Sequence, residues 1–523
     1  FYKNTFTNGS SAIWFRGVST ASWTTRAWLV ENKFNATNSG GYYVYFYYSN
    51  SPKIIKNEFN YTGSSTFYGL YMYYTENEFV IDQNLFNLNS TSTLYAMYLY
   101  YNNYYGSSYG ASLNSNAPLI TNNIVNTTNT SGQTYPYYGV YNCWTQLLNN
   151  KFNATSTTGT ITGYGPMYYG KSMNAQGNEF NYKATGSGSI SASQFFYSGG
   201  SMWGDTFQNN KVNFSSAGGS IDFYPVYYGN SIIRNNDFVF TNTTGTTYNR
   251  FQYGQGSLVH DNKFTMTSTT GGIYGMYMYG SSSYAGSKIF NNDFEFKSTG
   301  NSTHYALYGS YMNGDKIYNN IVTSATAGAS NLIYLTGTQY NSNRIYNNVF
   351  HTLNCNPAAT QYAIYNNGTS GEVTMNNNIV SRTTTLTSNG YGIYNTGSTL
   401  KSDYNLYDLP GATMFYHTSY NGASLNSYRE KSGVDMNSLV YAAPFNNAAA
   451  RDFTINATSP AAWAVNGRGV HDSTRYTDRS GAAVPLFVTS GVPDIGAYEV
   501  EPTSIPPDAV ATPANPVANS FQL

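Results

Sequence analysis

The sequence predicts an all-β chain, a parallel β-solenoid made of one short unit repeated about fifteen times. Three observations predict it: an asparagine motif at fixed spacing, a second apolar position in register with it, and short alternating runs bounded by turn formers where a helical period would otherwise stand. The unit reads apolar, x, Asn, Asn, x, Phe or Val, as in KIFNNDF (288–294), KIYNNIV (316–322) and RIYNNVF (344–350).

Taking the closing apolar residue as anchor, the copies end at Phe6, Phe34, Phe59, Phe86, Val125, Phe152, Phe180, Val212, Phe238, Phe264, Phe294, Val322, Phe350, Val380 and Tyr407. Two residues before each anchor stands Asn: Asn4, Asn32, Asn57, Asn84, Asn123, Asn150, Asn178, Asn210, Asn236, Asn262, Asn292, Asn320, Asn348, Asn378 and Asn405. The mean period is about 28.6 residues, within the range of solenoid repeats. The long step from Phe86 to Val125 predicts a loop insertion around 101–116.

Five residues before the anchor comes the second apolar position, filled by Leu29, Ile54, Ile81, Ile120, Leu147, Ile233, Val259, Ile289, Ile317, Ile345 and Met375, and less typically by Ala175, Phe207 and Ser402. Between motifs lie alternating runs such as IYGMYMY (273–279), QYAIYN (361–366) and GYGIYN (390–395), flanked by Gly, Ser, Thr and Asn, which read as strands. Several short strands per unit and no helix point to one coil per unit, with coils pairing strand on strand. A leucine-rich repeat would need a Leu framework and a helical side, and a propeller a longer period. The invariant Asn then has a mechanical role: stacked at one turn of every coil, its amide donates and accepts along the ladder while tolerating the left-handed backbone of the bend. It is assigned no chemistry.

Composition narrows function. Of 523 residues only 10% are charged, Lys+Arg and Asp+Glu are both 25, and 55 residues are tyrosine. Such a chain is too aromatic for disorder and has no basic field for nucleic acid or an anionic membrane. No apolar run is long enough to span a bilayer. The chain opens at Phe1 in mid-motif, as a piece of a longer processed chain would. Cys143 and Cys355 lie too many coils apart to bond and are expected free and partly buried.

At this point the sequence resembles a known family. The N-N-x-F coils over about residues 1–410 are similar to the right-handed parallel β-helix repeat proteins of secreted bacterial polypeptides, the architecture shared with pectate lyases. SDYNLY (402–407), DMNSLVYAAPF (435–445), DFTINATSPAA (452–462) and PDIGAYE (493–499) resemble the C-terminal segment of bacterial β-helix surface proteins called choice-of-anchor proteins. The resemblance implies secretion and a segment 411–500 that finishes the helix. Residues 501–523, rich in Pro and Ala, then read as a linker or docking tail.

Enzymes on this fold resemble one another in placing several Asp with Arg or Lys in one groove. Here only 14 acids fall in residues 1–400 and none between Gln83 and Asn178, so no catalytic residue, metal ligand or cofactor is assigned. His260 with Asp261 is the nearest dyad, and Asp261 reads as a motif variant. Arg468, His471, Asp472, Arg475, Asp478, Arg479 and Asp494 form a richer polar group, read as part of a terminal cap. His304, His351 and His417 are isolated.

In the strand before each motif an apolar residue is followed by tyrosine, giving Tyr71, Tyr98, Tyr141, Tyr168, Tyr227, Tyr277, Tyr308, Tyr365 and Tyr394. With the apolar partner inward the ring points out, so a tyrosine stripe with rings about 4.8 Å apart is expected. It either shields its own sheet or contacts a carbohydrate or protein partner. Sequons such as Asn126 and Asn301 exist, although they mostly reflect composition.

Together these features predict a rigid extracellular rod of roughly 70 Å. The expected function is a non-catalytic subunit of a surface filament or layer, self-associating head to tail through coil ends, tail and tyrosine faces. A carbohydrate-binding adhesin on a surface polysaccharide, and a polysaccharide lyase or hydrolase acting near residues 400–500, are the alternatives.

Overall fold

The computed structural model is a parallel β-solenoid with three sheets. It describes residues 1–17, 26–37, 40–76, 78–101, 118–140, 145–168, 173–192, 195, 205–284, 286–418, 420–472, 475–485 and 491–504. Each coil gives a short strand to the first sheet, a longer one to the second and another to the third, as in Lys288–Phe290, Asp293–Ser298 and His304–Ser310. Strands of successive coils pair parallel and in register, Phe34 against Phe59 and Phe59 against Phe86. Every anchor has its strand in the second sheet, which stacks sixteen strands. Full turns number about twelve, fewer than the fifteen expected. Phe6 lies on a turn whose first-sheet strand is missing, and in two middle turns the third-sheet strand is split (Ile161–Thr162, Tyr164–Tyr168) or short (Ile190–Ala192). The insertion expected at 101–116 lies almost wholly outside the described residues.

Both apolar positions of the motif face the core. Leu29, Ile54, Ile81 and Ile120 are fully buried, as are Phe34, Phe86 and Val125. Register makes like meet like: Phe34 stacks on Phe59 at 4.9 Å and Phe59 on Phe86 at 4.4 Å.

The asparagines build an internal ladder without a break. From Asn4 to Asn378, the backbone N–H of each donates to Oδ1 of the next at 2.8–3.1 Å. Asn405 N–H continues the series to Ser438 Oγ at 2.9 Å. Each Nδ2 adds bonds, so that Asn150 Nδ2 donates to Ile120 O at 2.8 Å, Leu148 O at 3.1 Å and Asn178 Oδ1 at 3.0 Å. The left-handed backbone, however, belongs to the residue before: Gln83, Asn122, Asn149, Asp261 and Asn319 have φ of 54–56°. The ladder Asn turns inward, and its neighbour makes the bend. That neighbour is Asn, Asp or Gly in most coils because those residues enter this region at least cost.

A second inward row of polar groups stands before the first sheet. Asp205 Oδ1 accepts from Met173 N at 2.9 Å, Asp315 Oδ1 accepts from Ser287 N at 2.8 Å, and Asn343 Oδ1 accepts from Asp315 N at 3.0 Å. Burial pushes the Asp205 carboxyl up to about 7 and that of Asp315 up to about 6.

The C-terminal segment has two parts. Residues 411–440 close the last coil: Tyr420–Gly422 pairs antiparallel with Gly411–His417, Leu439–Val440 pairs with Leu406–Asp408, and the helix Leu425–Ser432 buries Leu425 and Tyr428. Residues beyond that turn back along the flank. Phe453, Ile455, Val465, Ile495 and Ala497 pack on Ile321, Val349, Ile379 and Leu406, the residue just before the anchor in the last four coils. In earlier coils that position is mostly charged, with Lys33, Glu58, Lys151, Glu179, Lys211, Asp237, Lys263 and Asp293, and is otherwise Thr5, Leu85 and Ile124. Of the expected docking tail, the first residues lie on their own chain: Thr503 N donates to Ala457 O at 2.8 Å and Trp463 Nε1 to Ser504 O at 3.0 Å. Residues 505–523 lie outside the described residues.

Asn150→Ala removes the acceptor of Asn123 N–H and one of two acceptors of its Nδ2, which keeps Ile81 O, and the buried N–H left unpaired costs about 1–3 kcal/mol. Because coils unfold semi-independently, hydrogen exchange is the suitable measurement, and faster exchange should centre on Asn123 and its neighbouring coils. Unchanged protection there would refute a mechanical role for the ladder.

For Asp205 and Asp315 the folded carboxyl holds its proton to higher pH than the unfolded one. Their contribution to stability is therefore complete below about pH 4 and is lost as pH rises through about 6–7. His304 and His351, held neutral by burial down to about 4, act in the opposite sense over pH 4–6.5, so the comparison must be with variants. Asp205→Asn and Asp315→Asn, with Asn343 as their natural precedent, should lower the melting temperature at pH 5 relative to that at pH 8 when compared with wild type. An equal pH slope in wild type and variants would disprove this assignment.

Candidate functional site: the tyrosine face

The outer surface of the third sheet is tyrosine in several parallel columns. Most of its longer strands carry an inward bulge that resets the alternation: in Gly41–Asn50 both Tyr43 and Val44 are buried, while Tyr42, Tyr45 and Tyr47 are half-buried on the outside. One column runs Tyr45, Tyr71, Tyr98, Tyr138, with ring centroids 5.0, 4.5 and 4.5 Å apart. Beside it run Tyr42, Tyr68, Tyr95 and Tyr135 at 4.7, 4.4 and 4.4 Å. Tyr47, Tyr73 and Tyr100 form a third column and Tyr48, Tyr74 and Tyr101 a fourth. No charged residue interrupts these rows between Tyr42 and Tyr48, Tyr68 and Tyr74, or Tyr95 and Tyr101.

Rings within a column lie nearly parallel, 1° between Tyr68 and Tyr95. Rings of the first and second columns stand nearly perpendicular, 80° between Tyr68 and Tyr71, as do those of the third and fourth, 85° between Tyr100 and Tyr101, while first and third run nearly parallel, 12° between Tyr71 and Tyr73. This herringbone satisfies the ring quadrupoles and turns most ring faces toward one another, leaving edges and hydroxyls outward. Burial among the rings holds the Tyr71, Tyr95, Tyr98 and Tyr308 phenols well above their ordinary range.

A second plateau follows. Tyr277, Tyr308, Tyr334, Tyr365, Tyr394 and Tyr416 continue one column at 4.9, 5.1, 4.7, 5.1 and 4.5 Å. At its head, Arg250 takes a tyrosine's place opposite Tyr277. Its Nε donates to Asp222 Oδ1 at 2.7 Å and its guanidinium lies 4.1 Å from the Tyr248 ring.

Six of the nine expected stripe residues, Tyr71, Tyr98, Tyr277, Tyr308, Tyr365 and Tyr394, occupy one column. Tyr227 pairs with Gln252 and Tyr168 with Val140, which puts both one column over. Tyr141 lies outside the described residues. In its coil the column position belongs to Tyr138, a residue sequence reasoning passed over because the inward partner there is Tyr137, itself a buried tyrosine. Tyr45 was hidden likewise beside Tyr43.

The fourth column has an unusual backbone. Tyr48, Tyr74, Tyr101, Tyr228, Tyr253 and Tyr311 are left-handed, with φ of 48–55°. A bulky residue is disfavoured in that region, and the corner on the other side of the coil uses Asn, Asp or Gly in most coils for the same bend. Tyrosine is kept at this corner against its conformational preference.

The remaining candidates are tied into structure. His260 Nδ1 and Asp261 Oδ2 are 2.7 Å apart, and the imidazole stacks on Phe290 at 4.7 Å. Asp472 pairs with Arg344 at 2.5 Å, Arg475 pairs with Glu499 at 2.8 Å, and Arg479 Nη1 donates to Asn292 O at 2.9 Å. Asp478 Oδ1 accepts from Ser480 N and Ala482 N, and Asp494 Oδ1 accepts from Gly467 N. His471 Nε2 contacts Gly491 O, and Arg468 Nε donates to Trp463 O. His351 bonds Ser381 and Thr383, His304 Nδ1 accepts from Ile273 N, and His417 meets Tyr428 edge-on. Cys355 is free and buried, and Cys143 lies outside the described residues. Among the described residues no group of three His, Cys, Asp or Glu is placed to hold a metal ion, and no helix is long and apolar enough to cross a membrane. Asn126 belongs to an outward amide ladder missed in the sequence, donating to Asn87 at 3.0 Å and accepting from Asn153 at 2.8 Å. Asn301 sits on an exposed turn.

No family model and no curated protein matches this chain.

Raised phenol pKa values mean that the stability they carry is complete below about pH 10 and is lost as pH rises past the ordinary tyrosine range. Spectrophotometric titration should show a group of tyrosines in the folded chain ionising only together with alkaline unfolding. Ionisation of all tyrosines near the free value, with the fold intact, would contradict the packing described.

Proposed function

We propose that this chain is a non-catalytic structural protein of the cell exterior, a stiff rod that associates side by side with copies of itself through the tyrosine face. The observation that carries the proposal is the herringbone plateau. Its ring faces are largely occupied by one another, so the outward surface is a comb of phenol edges and hydroxyls. A hydroxyl both donates and accepts, which makes such a comb complementary to itself, as a twofold contact requires. Zero net charge and rows free of charged side chains remove the repulsion that keeps most rods apart. The left-handed tyrosines add support, since their side chains are kept at a conformational cost. The C-terminal coil is closed by 411–440 and the first residues of the tail lie on their own chain, so the proposal rests on the lateral face.

Sedimentation velocity with negative-stain microscopy tests it. Wild type should form laterally paired or bundled rods, and Tyr71→Ser with Tyr98→Ser and Tyr308→Ser with Tyr365→Ser should give single rods of unchanged length. Wild type that remains as separate rods at high concentration would overturn the proposal.

A second reading, adhesion to a surface polysaccharide, is favoured by the half-buried rings and dense hydroxyls of the second plateau. Glycan-array binding lost in Tyr277→Ser, Tyr308→Ser and Tyr365→Ser would support it over self-association.

A further inference from the structure

The corner between the first and second sheets changes character along the rod. In the last coils its left-handed asparagines hold the flank segment by its backbone. Asn377 Nδ2 donates to Val470 O and its Oδ1 accepts from Val470 N, both at 2.8 Å, a two-bond pairing of a side-chain amide with a peptide unit. Asn347 Nδ2 donates to Asp494 O at 3.1 Å and Gly496 O at 2.9 Å, and Asn319 Nδ2 donates to Thr477 O at 2.9 Å.

The same corner continues upstream without its cover. Asn209, Asn235, Asp261 and Asn291 stand there in register, lining a groove of about 690 Å³ that ends at Arg479 of the flank segment. Its floor is the alternating row Lys211, Asp237, Lys263 and Asp293 in place of the apolar row beneath the flank segment.

We propose that this groove binds an extended polypeptide segment of a partner, held by its backbone as the flank segment is held, with polar or charged side chains over the floor. The amides next door already pair with peptide N–H and C=O. An apolar strand like PDIGAYE would strand charges beneath it, so the occupant differs in side chains from the flank segment. The site lies on a different side of the rod from the tyrosine face and does not depend on it.

The test selects linear peptides from a phage-displayed random library on the full chain, then measures their affinity and the hydrogen exchange of residues 205–295. Asn235→Gly with Asn291→Gly removes the amides but keeps the bend, since Gly177 occupies this corner naturally with φ of 68°. The double variant should bind selected peptides about tenfold or more weakly. Asp261→Asn, which completes the amide row, should bind them more tightly. Protection from exchange should fall on this corner. Failure to select any peptide, equal binding by wild type and double variant, or protection elsewhere would each overturn the proposal, as would displacement of the peptides by neutral oligosaccharides.

Discussion

One buried amide per coil sets the register of the entire molecule. A parallel solenoid has no hairpins to fix strand offset, and a slip of one residue would turn every phenyl ring of the second sheet outward. The ladder prevents this because its bonds close only when each Asn stands directly beneath the next. Asn32 and Asn57 are 25 residues apart in sequence and Asn84 and Asn123 are 39 apart, yet both steps close at 2.9 Å. Length variation is therefore expelled to loops far from the Asn turn, while the rod keeps one repeat.

That register determines what the outer surface can be. When coils stack at about 4.8 Å, any side chain repeated at one position becomes a column, and the chemistry of the residue decides whether the column is tolerable. Charges survive by alternating in sign, as where Lys33 meets Glu58 at 3.2 Å and Lys151 meets Glu179 at 3.2 Å. Amides survive by donating and accepting in turn, as from Asn213 to Asn181 and Asn181 to Asn153. Tyrosine survives because its rings stack, and it alone of the three leaves a broad, half-apolar surface in water. Two plateaus of it on one sheet are thus a feature the rod's own stability does not require, which is why functional weight falls there.

The fold was legible in the sequence because the repeat is spaced by backbone geometry and marked by a residue with one mechanical task. The division of labour within the Asn pair was not: Asn319 bends and Asn320 bonds, and both look the same until the two φ values are known. The tyrosine columns were partly legible. A two-residue alternation finds Tyr71 behind Leu70, but it misses Tyr138 behind Tyr137, since an inward tyrosine is indistinguishable in sequence from an outward one, and the bulge shifts the phase of the second column by one residue. The flank segment left a readable trace that composition obscured: the residue before the anchor changes from a row that is mostly Lys, Glu and Asp, Leu85 and Ile124 being its apolar members, to Ile321, Val349, Ile379 and Leu406 without a break. Four apolar residues in a row down one corner announce a cover.

That trace also separates the rod into two lengths with different obligations. Where the floor is apolar, the chain must supply its own lid, and Phe453, Ile455, Ile495 and Ala497 do so. Where the floor is charged, water is an acceptable neighbour, and no internal lid is needed for stability. The corner amides do not change at that boundary: Asn291 and Asn235 follow Asn319 and Asn347 in the same conformation. A bend needs only a residue that tolerates positive φ, and Gly177, Lys56 and Gln83 show that Asn is not compulsory for it. Amides retained beyond the lid are more than the bend itself demands. The surplus is hydrogen-bonding capacity of the kind that, one coil further on, is spent on peptide backbone.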